Sequence, residues 1–207
     1  MQKVSAFQAC VTDADVGGLC HTGSMLILHT SDWHIGRSLF EFSLLEDQQE
    51  IFRQIVSIIE REQVDAVLIS GDLYDRSMPS AQAVSLLDEM FTTLISRYHL
   101  PILAISGNHD SARRVAYGSR LFEQSGLYLA GGFSMQIKKV TLQDAFGPVN
   151  FFLLPYFIPQ QVRIALEDSS IRTASEAFEK LIDQNREQID PNERNVLLAH
   201  GFFMRQN

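Results

Sequence analysis

Four short apolar runs in this chain are each followed at once by residues able to hold metal ions. Ser31-Asp32-Trp33-His34 follows Leu26–Thr30, and Gly71-Asp72 follows Ala66–Ser70. Gly107-Asn108-His109-Asp110 follows residues 101–106, and His200-Gly201 follows residues 195–199. Two divalent cations about 3.5–4 Å apart clamp the attacking and leaving oxygens of an in-line phosphoryl displacement. Such a pair needs a carboxylate shared between the ions, and Asp72 is the candidate. Asp32 and His34, two apart in one turn, reach one ion together, while Asn108 offers a carbonyl oxygen and His200 an imidazole to the other. Oxygen and imidazole donors without sulfur suit manganese, iron or zinc better than magnesium alone. Glycines 71 and 107 relieve the turns that aim the ligands. Taken singly, an Asp or His at a strand end is more often a turn former or helix cap; the ordered set of four is what points to a metal site.

These residues need elements that bring them to one edge. Leu26–Thr30, Ala66–Ser70, 101–106 and Leu127–Ala130 have the length of buried strands. Helices are predicted between them at 44–63, where Ile51, Phe52, Ile55, Val56, Ile58 and Ile59 recur near helical spacing, and at 80–98, with Ser80 as cap and Val84, Leu87, Phe91, Leu94 and Ile95 on one face. Strand–helix–strand repeated twice implies a mainly parallel sheet, whose strand ends share one crevice. Farther on, 134–142 and 149–154 read as strands around a turn at Gly147-Pro148, 158–166 and 173–188 as helices, and 195–199 as a last strand. The fold class is α/β. Residues 1–24 have no clear period and are read as a leader or mis-start outside the fold, with residues 25–207 as the domain.

The chain has 207 residues, enough for one medium domain, and no apolar run approaches a membrane span. Its net charge of −8 sits awkwardly with a nucleic-acid substrate, yet Arg37, Arg76, Arg113, Arg114 and Arg120 follow closely on the ligand motifs. Both cysteines, Cys10 and Cys20, precede Met25, so no disulfide framework is expected beyond it, which fits a cytoplasmic protein. Trp33 is read either as a stacking surface or as packing, with packing favoured, and His29 as structural.

The segments Leu28-His29-Thr30-Ser31-Asp32-Trp33-His34-Ile35-Gly36-Arg37, Ser70-Gly71-Asp72-Leu73-Tyr74-Asp75-Arg76 and Ser106-Gly107-Asn108-His109-Asp110-Ser111 resemble the calcineurin-like metallophosphoesterases, and among them the SbcD-type nuclease subunits, from Met25 to about Phe203. The resemblance implies a four-layer α-β-β-α fold and two manganese ions, one at Asp32, His34 and Asp72, the other at Asp72, Asn108 and His200. It implies that His109 contacts the phosphate or protonates the leaving oxygen, and that Asp110 orients His109. It further implies a homodimer, an SbcC-type coiled-coil ATPase partner, and double-stranded DNA ends and hairpins as substrates in repair and recombination. Arg37, Arg76, Arg113 and Arg114 are the candidates for DNA contact. Helix 80–98, with its wide apolar stripe, is the candidate dimer contact, against the plainer expectation that this face packs on the sheet. Members of the family carry a Gly-His-x-His motif that adds a histidine to each ion. The chain contains none, so the domain is expected to be incomplete at its C-terminus. The rival expectations are a phosphatase or cyclic-nucleotide diesterase of the same fold, and a non-catalytic scaffold.

Overall fold

Strands that are apolar at every position need cover on both faces, and this requirement organises the whole chain. The computed structural model describes residues 18–21 and 25–202. In order, the strands are β1 (Gly18–His21), β2 (Leu26–Thr30), β3 (Ser38–Leu39), β4 (Phe42–Ser43), β5 (Ala66–Ser70), β6 (Ile102–Ile105), β7 (Leu127–Ala130), β8 (Lys138–Asp144), β9 (Gly147–Leu154) and β10 (Arg194–Ala199). The helices are α1 (Leu45–Glu62), α2 (Ala81–Thr92), α3 (Ala112–Val115), α4 (Ser119–Phe122), α5 (Pro159–Leu166) and α6 (Ala174–Gln184).

A five-stranded sheet runs β1-β2-β5-β6-β7, and a three-stranded one runs β10-β9-β8. In the first, β2, β5, β6 and β7 are parallel and β1 pairs antiparallel with β2. In the second, β10 is parallel to β9 and β8 antiparallel. Three apolar cores separate four layers. Leu28, Val67, Ile69 and Ala104 meet Phe52 and Ile59 of α1 and Leu86, Leu87 and Met90 of α2. The opposite face of the sheet, with Ile27, Leu68, Leu103 and Ile105, meets Val149, Phe151, Leu153, Val196 and Leu198 of the second sheet. Behind that, Phe152 and Leu154 pack on Val162 of α5 and on Ala177 and Leu181 of α6. The period-2 pleat sends Phe151 and Phe152 into different cores, and both are fully buried. The α-β-β-α expectation holds.

The bounds of β2, β5 and β7 match the apolar runs. Elsewhere local chemistry moved them. The turn expected at Gly147-Pro148 lies instead at Ala145 and Phe146, because the Asp144 carboxylate accepts the Phe146 N–H at 2.8 Å and sets an Asx turn, leaving Gly147 and Pro148 to begin β9. Strand 134–142 starts only at Lys138. Helix 80–98 is α-helical to Thr92 and continues as a π-helical turn over Thr93–Arg97. Its Ser80 cap forms as read, accepting the Ala83 N–H at 3.2 Å. Its stripe is buried inside the chain at Ala83, Leu86, Leu87, Met90 and Leu94, while Val84 faces out; the packing expectation describes this face, and no dimer contact is needed to cover it. Residues 173–188 likewise end as α-helix at Gln184, followed by a short 3₁₀ turn. Within the stretch read as a leader, Gly18–His21 adds to the sheet edge, and the rest of that stretch lies outside the described residues. No described helix is long and apolar enough to cross a membrane.

Candidate metal centre

Parallel pairing of β2 with β5 does not stop where the strands end. Asp32 N–H donates to the Gly71 carbonyl at 3.0 Å, His34 N–H to Asp72 O at 2.9 Å and Ile35 N–H to Leu73 O at 2.9 Å. The two ligand loops are therefore zipped together along their backbones. That pairing holds Asp32, His34 and Asp72 at φ values of 56°, 42° and 52°, a left-handed conformation that costs a non-glycine residue of order 1–3 kcal/mol. Strain of this kind persists only where surrounding contacts fix it. Here the fixing groups can be named.

Gln48, from the first turns of α1, places its amide against the loop: Oε1 accepts the Gly36 N–H at 3.0 Å, and Nε2 donates to the carbonyls of Trp33 at 3.1 Å and His34 at 2.8 Å. Trp33 donates its indole N–H to Thr30 Oγ1 at 3.0 Å, lies 6.4 Å from the Phe91 ring and packs, partly buried, against the first core. His29 is held by Ser70 Oγ at 2.7 Å, and burial lowers its pKa, as suits an uncharged structural imidazole.

Asp72 is almost fully buried, at 2% exposure. One oxygen, Oδ1, accepts the backbone N–H of His109 at 2.9 Å. The other, Oδ2, lies 3.6 Å from Nε2 of His34 and 3.6 Å from Nε2 of His200. His34 Nε2 is also 3.7 Å from Asp32 Oδ1. These separations are too long for hydrogen bonds, yet two donors each about 2.1 Å from one ion would themselves be roughly 3.0–3.4 Å apart. His200 sharpens the point. Its Nδ1 is 2.7 Å from the Ser70 carbonyl, which can only accept, so Nδ1 carries a proton. In the neutral ring Nε2 is then a lone pair, and it faces Asn108 Oδ1 at 3.0 Å and Asp72 Oδ2. Three lone-pair groups pointed at one another want a cation between them. Asp32, Asp72 and His200 offer ligand atoms all within 4.8 Å of one another, so the donors of the two expected ions form one continuous cluster about Asp72.

The glycines matter for two different reasons. Gly71 has φ +97°, and a Cβ there would come 2.5 Å from Nδ1 of His200. Gly107 lacks a positive φ; a Cβ at that position would sit 2.0 Å from Asp72 Oδ1. Gly107 is there to admit the carboxylate, not to make a turn.

Asp110 departs from its expected role. Its Oδ1 accepts the Tyr74 N–H at 2.9 Å, and its Oδ2 accepts those of Leu73 at 3.1 Å and Gly107 at 2.9 Å. The carboxylate joins the 71–75 loop to the 107–110 loop and makes no bond to the His109 ring; burial first, and the Asp110 charge second, raise the Tyr74 pKa. His109 is exposed, and its Nδ1 faces the Asp75 carbonyl at 3.0 Å. Its ring stands edge-on to His34 at 4.7 Å. Asp75 lies inside the second motif, yet the motif by itself gives it no role. Its carboxylate lies 3.5 Å from the buried Nδ1 of His34, and its carbonyl anchors His109, so one residue meets both imidazoles. Gln48 and Tyr156 escape sequence reasoning altogether. Tyr156 donates its backbone N–H to Ser106 O at 2.9 Å and sets its ring edge-on to His200 at 6.2 Å. Neither position carries a signal in a single sequence, since each acts across the fold. The four candidate arginines are exposed: Arg37 follows the first ligand loop, Arg76 lies 3.6 Å from the Asp75 carboxylate, and Arg113 and Arg114 are on α3.

Comparison with known proteins identifies the family. The family model described as calcineurin-like phosphoesterase matches residues 25–201. The D-subunit of the nuclease SbcCD from Staphylococcus epidermidis is 39% identical over 176 residues, covering 85% of this chain and 46% of that protein. The protein of the same name from Staphylococcus saprophyticus is 36% identical, with the same coverage. The chain thus spans about half the length of the curated relatives it matches.

Proposed function

This chain belongs to the calcineurin-like phosphoesterase family, and from that premise we propose that it is the nuclease part of an SbcCD-type complex, hydrolysing phosphodiester bonds in DNA with two manganese ions. The observation that carries the metal reading is the His200 face, where an imidazole nitrogen, an amide oxygen and a buried carboxylate oxygen converge. In this assignment Asp32, His34 and Asp72 hold one ion, Asp72, Asn108 and His200 the other, and the nuclease unit runs from Met25 onward. When bound, the ions supply positive charge to the phosphate and a nucleophile at neutral pH.

The chain's own groups do the rest. Asp72 is aimed by the His109 N–H, so its free oxygen faces both imidazoles. His109, anchored through Nδ1 to the Asp75 carbonyl, leaves Nε2 free to face the phosphate, and only the imidazolium form, with both nitrogens protonated, can deliver a proton from Nε2 to the leaving oxygen. DNA as substrate is supported by the nuclease names of the relatives and by Arg37, Arg76, Arg113 and Arg114, exposed on segments that leave the ligand loops and suited to backbone phosphates. The relatives' designation as one subunit among others supports an SbcC-type ATPase partner; a homodimer and a cytoplasmic setting complete the reading.

The test is Asp72→Asn. In a form of the protein that carries the family's Gly-His-x-His motif, the unsubstituted protein should cleave linear duplex DNA and bis(4-nitrophenyl) phosphate in manganese. The variant should cleave neither and bind less manganese by elemental analysis. The 207-residue sequence without that motif is expected to show little or no such activity. Undiminished manganese in the variant would defeat the shared-carboxylate assignment. Hydrolysis of phosphomonoesters with no action on DNA would reassign the substrate.

A further inference from the structure

Gln48 stands outside every ligand motif, on the helix that follows the first of them, yet its side chain makes three hydrogen bonds to the backbone of that ligand loop. The orientation of its amide is decided by those partners, because exchanging Oε1 and Nε2 would set oxygen against two carbonyl oxygens and nitrogen against an N–H. The two carbonyls it receives belong to Trp33 and His34, and the N–H it accepts belongs to Gly36. These bonds straddle His34, whose φ of 42° lies in the left-handed region. That backbone conformation is what turns the imidazole so that Nε2 faces Asp32 and Asp72 while Nδ1 faces Asp75. The loop carrying Asn108 and the strand end carrying His200 are tethered by bonds that do not involve Gln48: the Gly107 N–H to Asp110, the His109 N–H to Asp72, and the His200 Nδ1 to the Ser70 carbonyl.

We propose that Gln48 is a positioning residue for one of the two cations: by clamping the Trp33–Gly36 backbone in its left-handed shape it sets the affinity of the ion held through Asp32 and His34, and leaves the ion held through Asn108 and His200 unaffected. The proposal rests on the two-cation reading above. A mere filler between helix and loop would influence overall stability, not one ion over the other.

Three variants separate these roles. Gln48→Leu keeps most of the side-chain bulk, one bond shorter, and removes all three bonds. Gln48→Glu keeps the acceptor for Gly36 and removes both donors. Asp32→Ala serves as a reference that identifies which of two manganese dissociation constants belongs to the Asp32–His34 ion. In calorimetric or EPR titrations of the full chain, Gln48→Leu should weaken that same constant by about 10–100-fold, the range for groups that orient a metal ligand. The other constant should stay within about twofold, with the metal-free chain melting within a few degrees of wild type. Gln48→Glu should fall on the same side as Gln48→Leu, since the carbonyl bonds flank His34.

A readout independent of metal is the pair of His34 ring ¹⁵N shifts and the exchange of the Gly36 amide in the metal-free chain. Both should change in Gln48→Leu. Equal weakening of both constants, or of neither, overturns the proposal, as do unchanged His34 ring shifts. A wild-type chain that binds no manganese sinks the two-cation reading and this proposal's metal clause with it, while the ring shifts still report whether Gln48 aims His34.

Discussion

The first sheet presents its ligands on three loops braced to one another, whereas the second sheet delivers a single imidazole at the end of β10. Along the first edge, backbone pairing continues from Asp32 to Ile35, Asp110 ties Leu73, Tyr74 and Gly107 together, and Gln48 holds the Trp33–Gly36 turn. His200 has the Ser70 carbonyl behind it and Asn108 before it. Beyond that, the sheets are joined mainly by apolar contact, with Phe151 fully buried between them, and by the polar bonds of Tyr156 N–H to Ser106 O at 2.9 Å and Lys138 Nζ to Leu129 O at 3.1 Å. One side of the site is thus fixed by polar bonds made within the edge itself, and the other by the packing that sets one sheet against the other. Perturbations should divide the same way.

The largest effect expected from a single change that spares the metals is at His109. Its side chain contacts no ligand atom of the Asp72 cluster by hydrogen bond; only its backbone N–H does. His109→Ala should lower turnover by roughly 10²–10⁴-fold, the usual weight of general acid catalysis, with manganese stoichiometry unchanged. Loss of an ion instead would place the imidazole among the ligands.

Phe151→Ala tests the opposite kind of support. Removing a fully buried aromatic from the sheet–sheet core should cost about 3–5 kcal/mol, read as a lower urea midpoint at unchanged slope. If the comparison is right, manganese binding through His200 should loosen in this variant more than binding through Asp32 and His34. Equal loosening would mean that the sheets move as one body at the site.

What could be read in advance follows the same division. The ligand motifs of the first sheet lie directly after apolar runs, and short loops leave little freedom in where a residue after a strand can go, so the convergence of Asp32, Asp72 and Asn108 on one edge was legible together with β2, β5 and β6. His200 was legible only because its strand also ends in the crevice. The supports were not. Gln48 is one polar residue among several in the first turns of α1, and nothing local marks the one that reaches back. Asp110 reads as a partner of its neighbour His109, when its carboxylate instead collects N–H groups from a loop more than thirty residues earlier. Gly107 looks like a turn glycine and proves to be a clearance for Asp72. The β3–β4 hairpin and the short helices α3 and α4 are below the length at which hydrophobic period shows.

Asp110→Ala distinguishes the expected role from the observed one. Leaving three N–H groups of a part-buried edge without their acceptor should destabilise the chain by about 1–3 kcal/mol, and it should weaken manganese binding as the 71–75 and 107–110 loops part. An orienter of His109 would instead reduce turnover alone, at unchanged stability and metal affinity. The Tyr74 pKa offers a second readout: without the Asp110 charge it should fall somewhat but stay above the ordinary 10.0, because burial, the larger cause of its rise, remains.

The smallest effect belongs to the layer farthest from the chemistry. At the start of α6, Thr173 accepts the Glu176 N–H at 3.2 Å while Glu176 accepts those of Arg172 at 2.8 Å and Thr173 at 2.9 Å, a capping box. Those two N–H donors hold the Glu176 carboxyl below its ordinary value of 4.5. A depressed folded-state pKa means that the unfolded chain takes up the proton first on acidification. The stabilising contribution is therefore whole above about pH 4.5 and fades as pH falls through the lower folded-state value. Glu176→Gln should remove that pH-dependent part while keeping an oxygen for the cap, so wild type and variant should differ modestly near neutrality and converge in acid. The group is solvent-exposed, so salt should shrink the difference further. Thermal melts of the two proteins between about pH 3 and pH 7 decide it: a gap that widens on acidification would show that the carboxylate charge is not what holds this helix end. Because α6 packs on the second sheet and not on the ligand loops, manganese binding should be the same in both proteins, and a change there would tie the outermost layer to the metal edge.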